Sequence, residues 1–134
     1  MILRFLSAFY GGMKSVSSGF YYNWGMTYAR WGQPLKALFY LNRAAKLNDK
    51  GAHIFYQRAL LLIAMGRPES SIYDFDAAIK ANPEYMEAYL NRGMMHTLTG
   101  RHEKAQDDVE KAVALGADRP SLESQIAELR DQVE

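Results

Sequence analysis

A chain of 134 residues with 49% hydrophobic residues is long enough for one domain and too apolar to be disordered. It has no cysteine, which excludes disulfides, thiolate metal sites and a cysteine nucleophile. The net charge of +1 conceals an asymmetry, since residues 1–51 carry seven Lys/Arg and one acid whereas residues 52–134 carry nine Lys/Arg and fourteen acids. The N-terminal end is therefore predicted to attract acidic surfaces.

The first segment, residues 1–17, is apolar but interrupted by an arginine, and it lacks a small-x-small cleavage site. We interpret it as retained sequence and not as a secretory signal. Its bulky apolar residues share one helical face: Ile2, Phe5, Leu6 and Phe9. Three uses stay open for this extra helix or docking element, in order of preference: packing on the first repeat, docking on a partner, and lying in a membrane interface.

Residues 18–119 repeat with a period of 34 residues and without insertion, as units 18–51, 52–85 and 86–119. Six positions keep their residue type across the three units: Tyr21, Phe55, Tyr89; Gly25, Ala59, Gly93; Gly32, Gly66, Gly100; Ala37, Ser71, Ala105; Leu41, Phe75, Val109; and Ala44, Ala78, Ala112. Because single matches would mean little, it is the common period that indicates a repeat architecture.

Each unit is predicted to be a helix A, a turn and a helix B. Gly25 and Gly93 fall inside helix A, where glycine costs about 1 kcal/mol against alanine, so we expect close packing of the two helices there. Gly32, at the end of the first helix A, is predicted to adopt a left-handed backbone, as are its equivalents. Pro34 and Pro68 are predicted to open the first two B helices.

Arginine recurs in the A helices of the second and third units, with an aspartate sixteen residues later in each case. This predicts an ion pair between helices A and B in each of these two units, Arg58 with Asp74 and Arg92 with Asp108, and the alternative is that the charges are solvated and merely recur. If both charges were exposed, such a pair would contribute about 0–1 kcal/mol. We expect a structural role and no active site.

Residues 120–134 place Leu122, Ile126, Leu129 and Val133 on one helical face, with polar residues elsewhere. The last unit of a stacked array leaves an apolar face open, so this segment is predicted to be a capping helix. Asp118 and Pro120 suit its start.

No constellation for catalysis or metal binding is present. His53, His96 and His102 lack any metal-ligand spacing and are expected to be exposed or packed. The acids Asp107 and Asp108, and likewise Asp74 and Asp76, are expected to lie on solvated helix faces and not to form a carboxylate pair. We predict no cofactor, no enzymatic activity and no nucleic-acid partner; the basic, aromatic first unit is only a weak version of a nucleic-acid-binding stripe.

On these recurrent positions, residues 18–119 resemble the tetratricopeptide-repeat family. The resemblance implies an all-α fold, a right-handed α-solenoid of three helix-turn-helix units with a C-terminal capping helix. Asp49 and Ala117 depart from the family's inter-repeat proline, and Trp24 stands where the other units have arginine.

The resemblance also implies a concave groove lined by the A helices. The family's groove positions map onto these residues: Tyr22, Asn23, Met26, Arg30, Tyr56, Gln57, Leu60, Leu90, Asn91 and Met94. We expect an apolar, methionine-rich groove with a ladder of amides, suited to an amphipathic helix or an apolar peptide. Tail clamping of the kind that family members perform on chaperone C-termini is not expected, since His53 and Glu87 replace useful basic residues.

A second interface is expected at the N-terminal end, because eleven of the seventeen aromatic residues fall within residues 1–51. Surplus aromatics beside basic residues resemble the core of an interface. Its candidates are Phe5, Phe9, Trp31, Phe39 and Tyr40. The alternative is that residues 1–17 cover them.

The sequence therefore predicts a non-catalytic protein-protein interaction scaffold or adaptor that binds a helix or peptide in its groove. The alternative is an accessory subunit of a larger complex, which could be membrane-associated, docked through the basic, aromatic end. A membrane-protein complex and self-association stay open as partners. The expected location is cytoplasmic, with a position at the periphery of a membrane as the variant.

Overall fold

The structure, a computed structural model, describes residues 2–134, apart from the side chains of residues 5 and 8–16. Its regular structure is helical, and the seven helices of this range are α1 (Ile2–Arg30), α2 (Pro34–Leu47), α3 (Ala52–Ala64), α4 (Pro68–Ala81), α5 (Met86–Leu98), α6 (His102–Ala114) and α7 (Arg119–Val133). Among these described helices, none is long and apolar enough to cross a bilayer.

The helices form three antiparallel pairs, α1 with α2, α3 with α4 and α5 with α6. Each pair also packs on the next, through α2 against α3 and through α4 against α5, and α7 packs mainly on α5. This is the predicted all-α solenoid, in which each unit contacts its neighbours in sequence.

The turns between paired helices follow the predicted chemistry. Gly32, Gly66 and Gly100 have φ of 68°, 74° and 77°, the left-handed conformation that ends each A helix. Pro34 and Pro68 lie in the first turn of α2 and α4. The N–H groups of a first turn have no acceptor within the helix, so proline costs no hydrogen bond there.

Small residues allow each A helix to lie close to its B helix, as predicted. A Cβ added to Gly25 would lie 2.9 Å from Leu41 Cγ, and one added to Gly93 would lie 3.2 Å from Asp108 Cβ. In the first unit the closest neighbour of Gly25 is therefore Leu41. The core runs along this contact line, with Leu41 and Phe75 almost fully buried.

Helix α7 caps the last unit. The Asp118 carboxylate accepts a hydrogen bond from the Ser121 backbone N–H at 3.1 Å, which is the predicted N-cap. Leu122 and Ile126 are buried, whereas Val133 is half exposed at the end of the helix. The helix begins at Arg119, within a residue of the predicted boundary.

The N-terminal segment is continuous with the first A helix. Helix α1 has 29 residues and α2 has 14, so α1 is about 43 Å long and extends past its partner by roughly half its length. Ser18 Oγ donates to the Ala44 carbonyl at 2.9 Å, where the last turns of α2 meet α1. Residues 2–17 therefore do not form the separate helix, folded back on the first repeat, that was the preferred expectation. The side chains of Phe5 and Phe9 lie outside the described part of the structure.

Candidate functional site

Helices α1, α3 and α5 bring several predicted groove residues side by side. Asn91 Nδ2 on α5 donates to the Tyr56 hydroxyl on α3 at 3.1 Å. The Tyr22 ring on α1 lies edge-on to the His53 ring on α3, with 4.8 Å between the centroids. One surface thus carries aromatic rings and an amide from all three A helices.

Tyr85, which the groove mapping missed, belongs to this surface. Its ring centroid lies 4.8 Å from that of Tyr56. Burial, helped by Tyr56 and Glu87, raises the pKa of Tyr85 to about 12. Burial also raises the pKa of Tyr22 and of Tyr56. These phenols stay neutral at physiological pH, so their hydroxyls can donate hydrogen bonds and their rings offer apolar area.

The remaining groove residues are distributed unevenly. Asn23 and Arg30 are exposed, whereas Met26 and Gln57 are half-buried. Leu60 and Met94 pack on the central core cluster. Within the expected ladder of amides, the Asn91 amide also donates to the Glu87 carbonyl at 2.8 Å.

Helix α7 narrows the C-terminal end of the groove. A recess of about 250 Å³ lies between α5 and α7 and is lined by Leu90, Met94 and Leu122, among others. Since Leu90 packs on the buried residues of α7, the open part of the surface is centred on Tyr22, Tyr56 and Tyr85.

The outer surface of α2 carries part of the expected second interface. Phe39 is 53% exposed and Trp31 is 62% exposed. The Arg43 guanidinium lies 5.2 Å from the Phe39 ring centroid, beside a recess of about 550 Å³ that Lys46 also lines. The Tyr40 ring lies edge-on to the Phe39 ring, with 5.4 Å between the centroids, and it also stacks on Tyr28 at 5.3 Å, so it connects this surface to the end of the solenoid.

Two further aromatic residues at that end, Phe20 and Trp24, were not among the predicted interface residues. Both are exposed, at 57% and 39%. Their equivalents one repeat later are Ile54 and Arg58, and the change from an aliphatic and a cationic residue to two aromatics was the available sequence signal.

The predicted ion pairs are present in both units. The Arg58 guanidinium makes two hydrogen bonds to the Asp74 carboxylate, at 2.7 and 2.8 Å, and Arg92 makes the same contacts to Asp108 at 2.6 and 2.9 Å. The expectation of solvated acids is wrong for both aspartates, since Asp74 is only 6% exposed and Asp108 only 2%. The packing of the A helix over the B helix removes these carboxylates from water.

Each B helix also offers an acceptor to an arginine of the helix that follows it, which is α3, α5 or the capping helix α7. The acceptors occupy equivalent positions, and the pairs are Asn42 with Arg58 (3.2 Å), Asp76 with Arg92 (2.8 Å) and Glu110 with Arg119 (2.7 Å). The hydrogen bonds from Arg119, followed by one from Gln106, lower the pKa of Glu110 to about 2. These contacts join neighbouring units.

A recess of about 380 Å³ between α4, α5 and α6 contains the buried His96. Its Nε2 lies 3.9 Å from Asp108 Oδ2, and burial lowers the histidine pKa despite that carboxylate. Arg92 engages Asp108, and Arg101 engages Glu69 at 2.9 Å, so the charges lining the recess are largely paired. Among the described residues, no three His, Asp or Glu side chains gather to hold a metal ion.

Comparison with known proteins gives a consistent family assignment. Two family models, both described as tetratricopeptide repeat, match residues 18–50 and residues 56–120. Together they cover well over half of the chain. No curated protein sequence matches it.

Solved structures with a similar fold cover most of the chain. The Arabidopsis OM64 TPR domain is 22% identical, with a TM-score of 0.78 over 89% of this chain and 98% of that one. The first TPR domain of Spaghetti (RPAP3), bound to an HSP90 peptide, is 17% identical, with a TM-score of 0.78 over 89% and 94%. The TPR2B domain of yeast Sti1 in complex with pHsp70 is 16% identical, with a TM-score of 0.77 over 88% and 99%. At these identities the likeness establishes the fold alone.

Proposed function

Because the chain belongs to the tetratricopeptide-repeat family of non-catalytic interaction modules, we propose that it is a scaffold or adaptor that holds a helix or peptide of another protein against α1, α3 and α5. The observation that carries this proposal is the tyrosine surface of Tyr22, Tyr56 and Tyr85, with Asn91 beside it. Half-exposed rings that keep a donating hydroxyl are well suited to binding a polypeptide.

The occupant of this surface is proposed to be mainly apolar. Two similar structures hold an HSP90 peptide and pHsp70, but this groove has Glu87 and His53 at positions where basic residues would help to bind a negatively charged tail. A carboxylate close to Glu87 would be repelled. An amphipathic helix or an extended apolar segment meets neither obstacle.

Affinity purification from the native host, followed by mass spectrometry, tests the groove. Asn23→Arg places a bulky cation on the exposed edge of α1, and Tyr73→Arg is the matched control because Tyr73 is 76% exposed on the far side of α4. We expect the specific partners to be lost with Asn23→Arg and kept with Tyr73→Arg. Equal recovery with both variants, each shown to be folded by circular dichroism, would contradict binding in the groove.

A second candidate function is supported by the exposed side chains of Phe39 and Trp31. In this alternative the protein is an accessory subunit that docks on a larger complex through its basic, aromatic end. Phe39→Ala would then release the complex, and Asn23→Arg would not. We propose a cytoplasmic location for either function, with peripheral membrane attachment as the variant. Cell fractionation tests this, and recovery of the protein from an extracellular fraction would contradict it.

A further inference from the structure

The N-terminal end of the solenoid presents a layer of aromatic rings, here called the end face: Phe20, Trp24, Tyr28 and Tyr40. Tyr28 stacks on Tyr40 with 5.3 Å between the centroids. Trp24 lies 5.9 Å from Tyr28 and 6.4 Å from Phe20. The layer is preformed and its outer side is open, since Phe20 is 57% exposed.

The same positions are covered in the later units. The equivalents of Phe20 are Ile54 and Ala88, which are 1% and 0% exposed. Those of Tyr40 are Asp74 and Asp108, which are also buried. The preceding B helix lies beside this face in the later units, since Arg58 reaches Asn42 on α2 and Arg92 reaches Asp76 on α4. The end face therefore corresponds to a surface that a neighbouring helix covers in the later units.

End units of such arrays normally have a polar outer face, which keeps them soluble. Here the ion pair of the inner units is replaced by Trp24 and Tyr40, so the end is more apolar than the interior positions it corresponds to. A set of exposed aromatics of this kind indicates an interface.

The chain contains a helix of the required length. Residues 2–17 of α1 extend past α2 and are about as long as α4, the 14-residue helix that covers the equivalent face of the third unit. Ile2 is 78% exposed and Leu6 is 43% exposed. Ile2 and Phe20 are eighteen residues apart, about five turns, so they lie on the same side of α1.

We propose that two copies of this chain pair through antiparallel α1 helices, with residues 2–17 of each copy lying on the end face of the other. A two-fold pair is self-complementary, so each copy supplies the helix that the other lacks. The antiparallel orientation of the two α1 helices also matches the solenoid, in which consecutive helices such as α4 and α5 are antiparallel.

The charges give the pairing a distinctive salt dependence. Helix α1 contains three basic residues and no acid, so the two helices repel weakly while their apolar faces attract. Added salt screens the repulsion and should strengthen the dimer. Binding of this end to an acidic helix or to an anionic membrane would weaken with salt.

Light scattering coupled to size-exclusion chromatography, over a range of protein concentration at low and high salt, tests the proposal. We expect a dimer whose dissociation constant falls as salt is added. Trp24 and Trp31 are the two tryptophans of the chain and both lie at this end, so their emission should shift to the red as the dimer dissociates on dilution.

Charged substitutions on the two contacting parts of α1 complete the test. Trp24→Glu on the end face and Leu6→Glu on the extending segment should each raise the dissociation constant at least tenfold, about 1.4 kcal/mol or more. Tyr73→Glu, at an exposed aromatic on α4, should not change it. Leu6→Glu lies outside the folded repeats, so it keeps the test valid should Trp24→Glu fail to fold. A chain that stays monomeric at all concentrations would overturn the proposal, even if it binds phosphatidylserine vesicles at low salt. A dimer that neither substitution weakens would also overturn it.

Discussion

Two buried carboxylates, those of Asp74 and Asp108, show how much a single residue depends on its neighbours in this fold. Each accepts two hydrogen bonds from one arginine of the facing helix. An unpaired carboxylate at such a site would cost several kcal/mol, so the arginine is required by the burial of the acid. The hydrogen bonds to Asp108 also raise the pKa of Arg92, which remains charged throughout.

Arg92→Ala should therefore lower the free energy of unfolding by about 2–4 kcal/mol, because it leaves Asp108 buried without its cation. Arg101→Ala is the matched control: it removes an arginine from Glu69, but both side chains are largely exposed and the expected loss is about 0–1 kcal/mol. Urea denaturation measures both. Similar losses for the two variants would show that burial of the carboxylate does not set the cost.

His96 should make the protein sensitive to mild acid. Burial holds its pKa below the ordinary value of about 6.5, and Arg92 and Lys104 lower it further, whereas Asp108 raises it. Between the two pKa values the unfolded chain binds a proton that the folded chain does not. The stability contributed by neutral His96 is thus complete above about pH 6.5 and is lost as the pH falls towards the folded-state pKa.

His96→Leu, which copies the equivalent Leu62, should reduce the fall in melting temperature between about pH 7.5 and pH 5.5. His102→Leu removes an exposed histidine from the same region and is expected to leave this fall unchanged. Glu110, with a folded-state pKa of about 2, contributes to pH dependence only below its ordinary value of 4.5. If the melting temperature of His96→Leu fell as much as that of the unmodified protein, His96 would not be the cause of the acid sensitivity.

Gly25 and Gly19 allow a test of close helix packing on one helix. A methyl group on Gly25 would lie 2.9 Å from Leu41 Cγ, so Gly25→Ala should destabilise the fold by about 1–3 kcal/mol. Gly19 has open space around it, so Gly19→Ala should stabilise it by about 1 kcal/mol through helix propensity. Thermal unfolding should move in opposite directions for the two variants, and a stabilising Gly25→Ala would contradict the packing argument.

At the scale of the helix, the boundaries could be predicted from the sequence wherever the residues of a turn or cap were explicit. Gly32 and Pro34 end and begin helices as predicted, and so does the N-cap Asp118. Helix α1 was harder to predict, because Gly11 and Gly12 resemble a break. The helix continues through them, since one or two glycines weaken a helix without providing a new cap or turn.

Asp118→Ala should loosen α7 in particular. It removes the side-chain acceptor for the Ser121 N–H, a loss of about 0.5–2 kcal/mol. Hydrogen exchange should accelerate in α7 and less in α1 and α2, which are far along the array from the cap. Asp118→Asn keeps a capping oxygen and serves as the control. Uniform acceleration along the chain would mean that the cap acts on global stability.

At the scale of the molecule, the 34-residue period was sufficient to predict the architecture, because each unit repeats the same contacts. The binding surfaces were harder to predict from the sequence. Tyr85 lies at the last position of its unit, outside the mapped groove positions, and only the folded chain brings it to Tyr56. Phe20 and Trp24 were not among the predicted interface residues, but the fold brings them into one aromatic layer with Tyr28 and Tyr40. Such placements depend on which neighbour a side chain meets, and a repeat pattern does not specify that for the first unit.

The arginine contacts between units have a consequence for how this chain could lengthen. The second unit, residues 52–85, carries both halves of the junction: Arg58 to reach back and Asp76 to receive the next arginine. A tandem duplication of this unit would therefore join correctly on both sides and extend the array by one module. Duplicating residues 18–51 would instead place Trp24 against Asn42, a mismatched joint. Internal duplication of the second unit would therefore preserve the contacts between units, whereas duplication of the first unit would not.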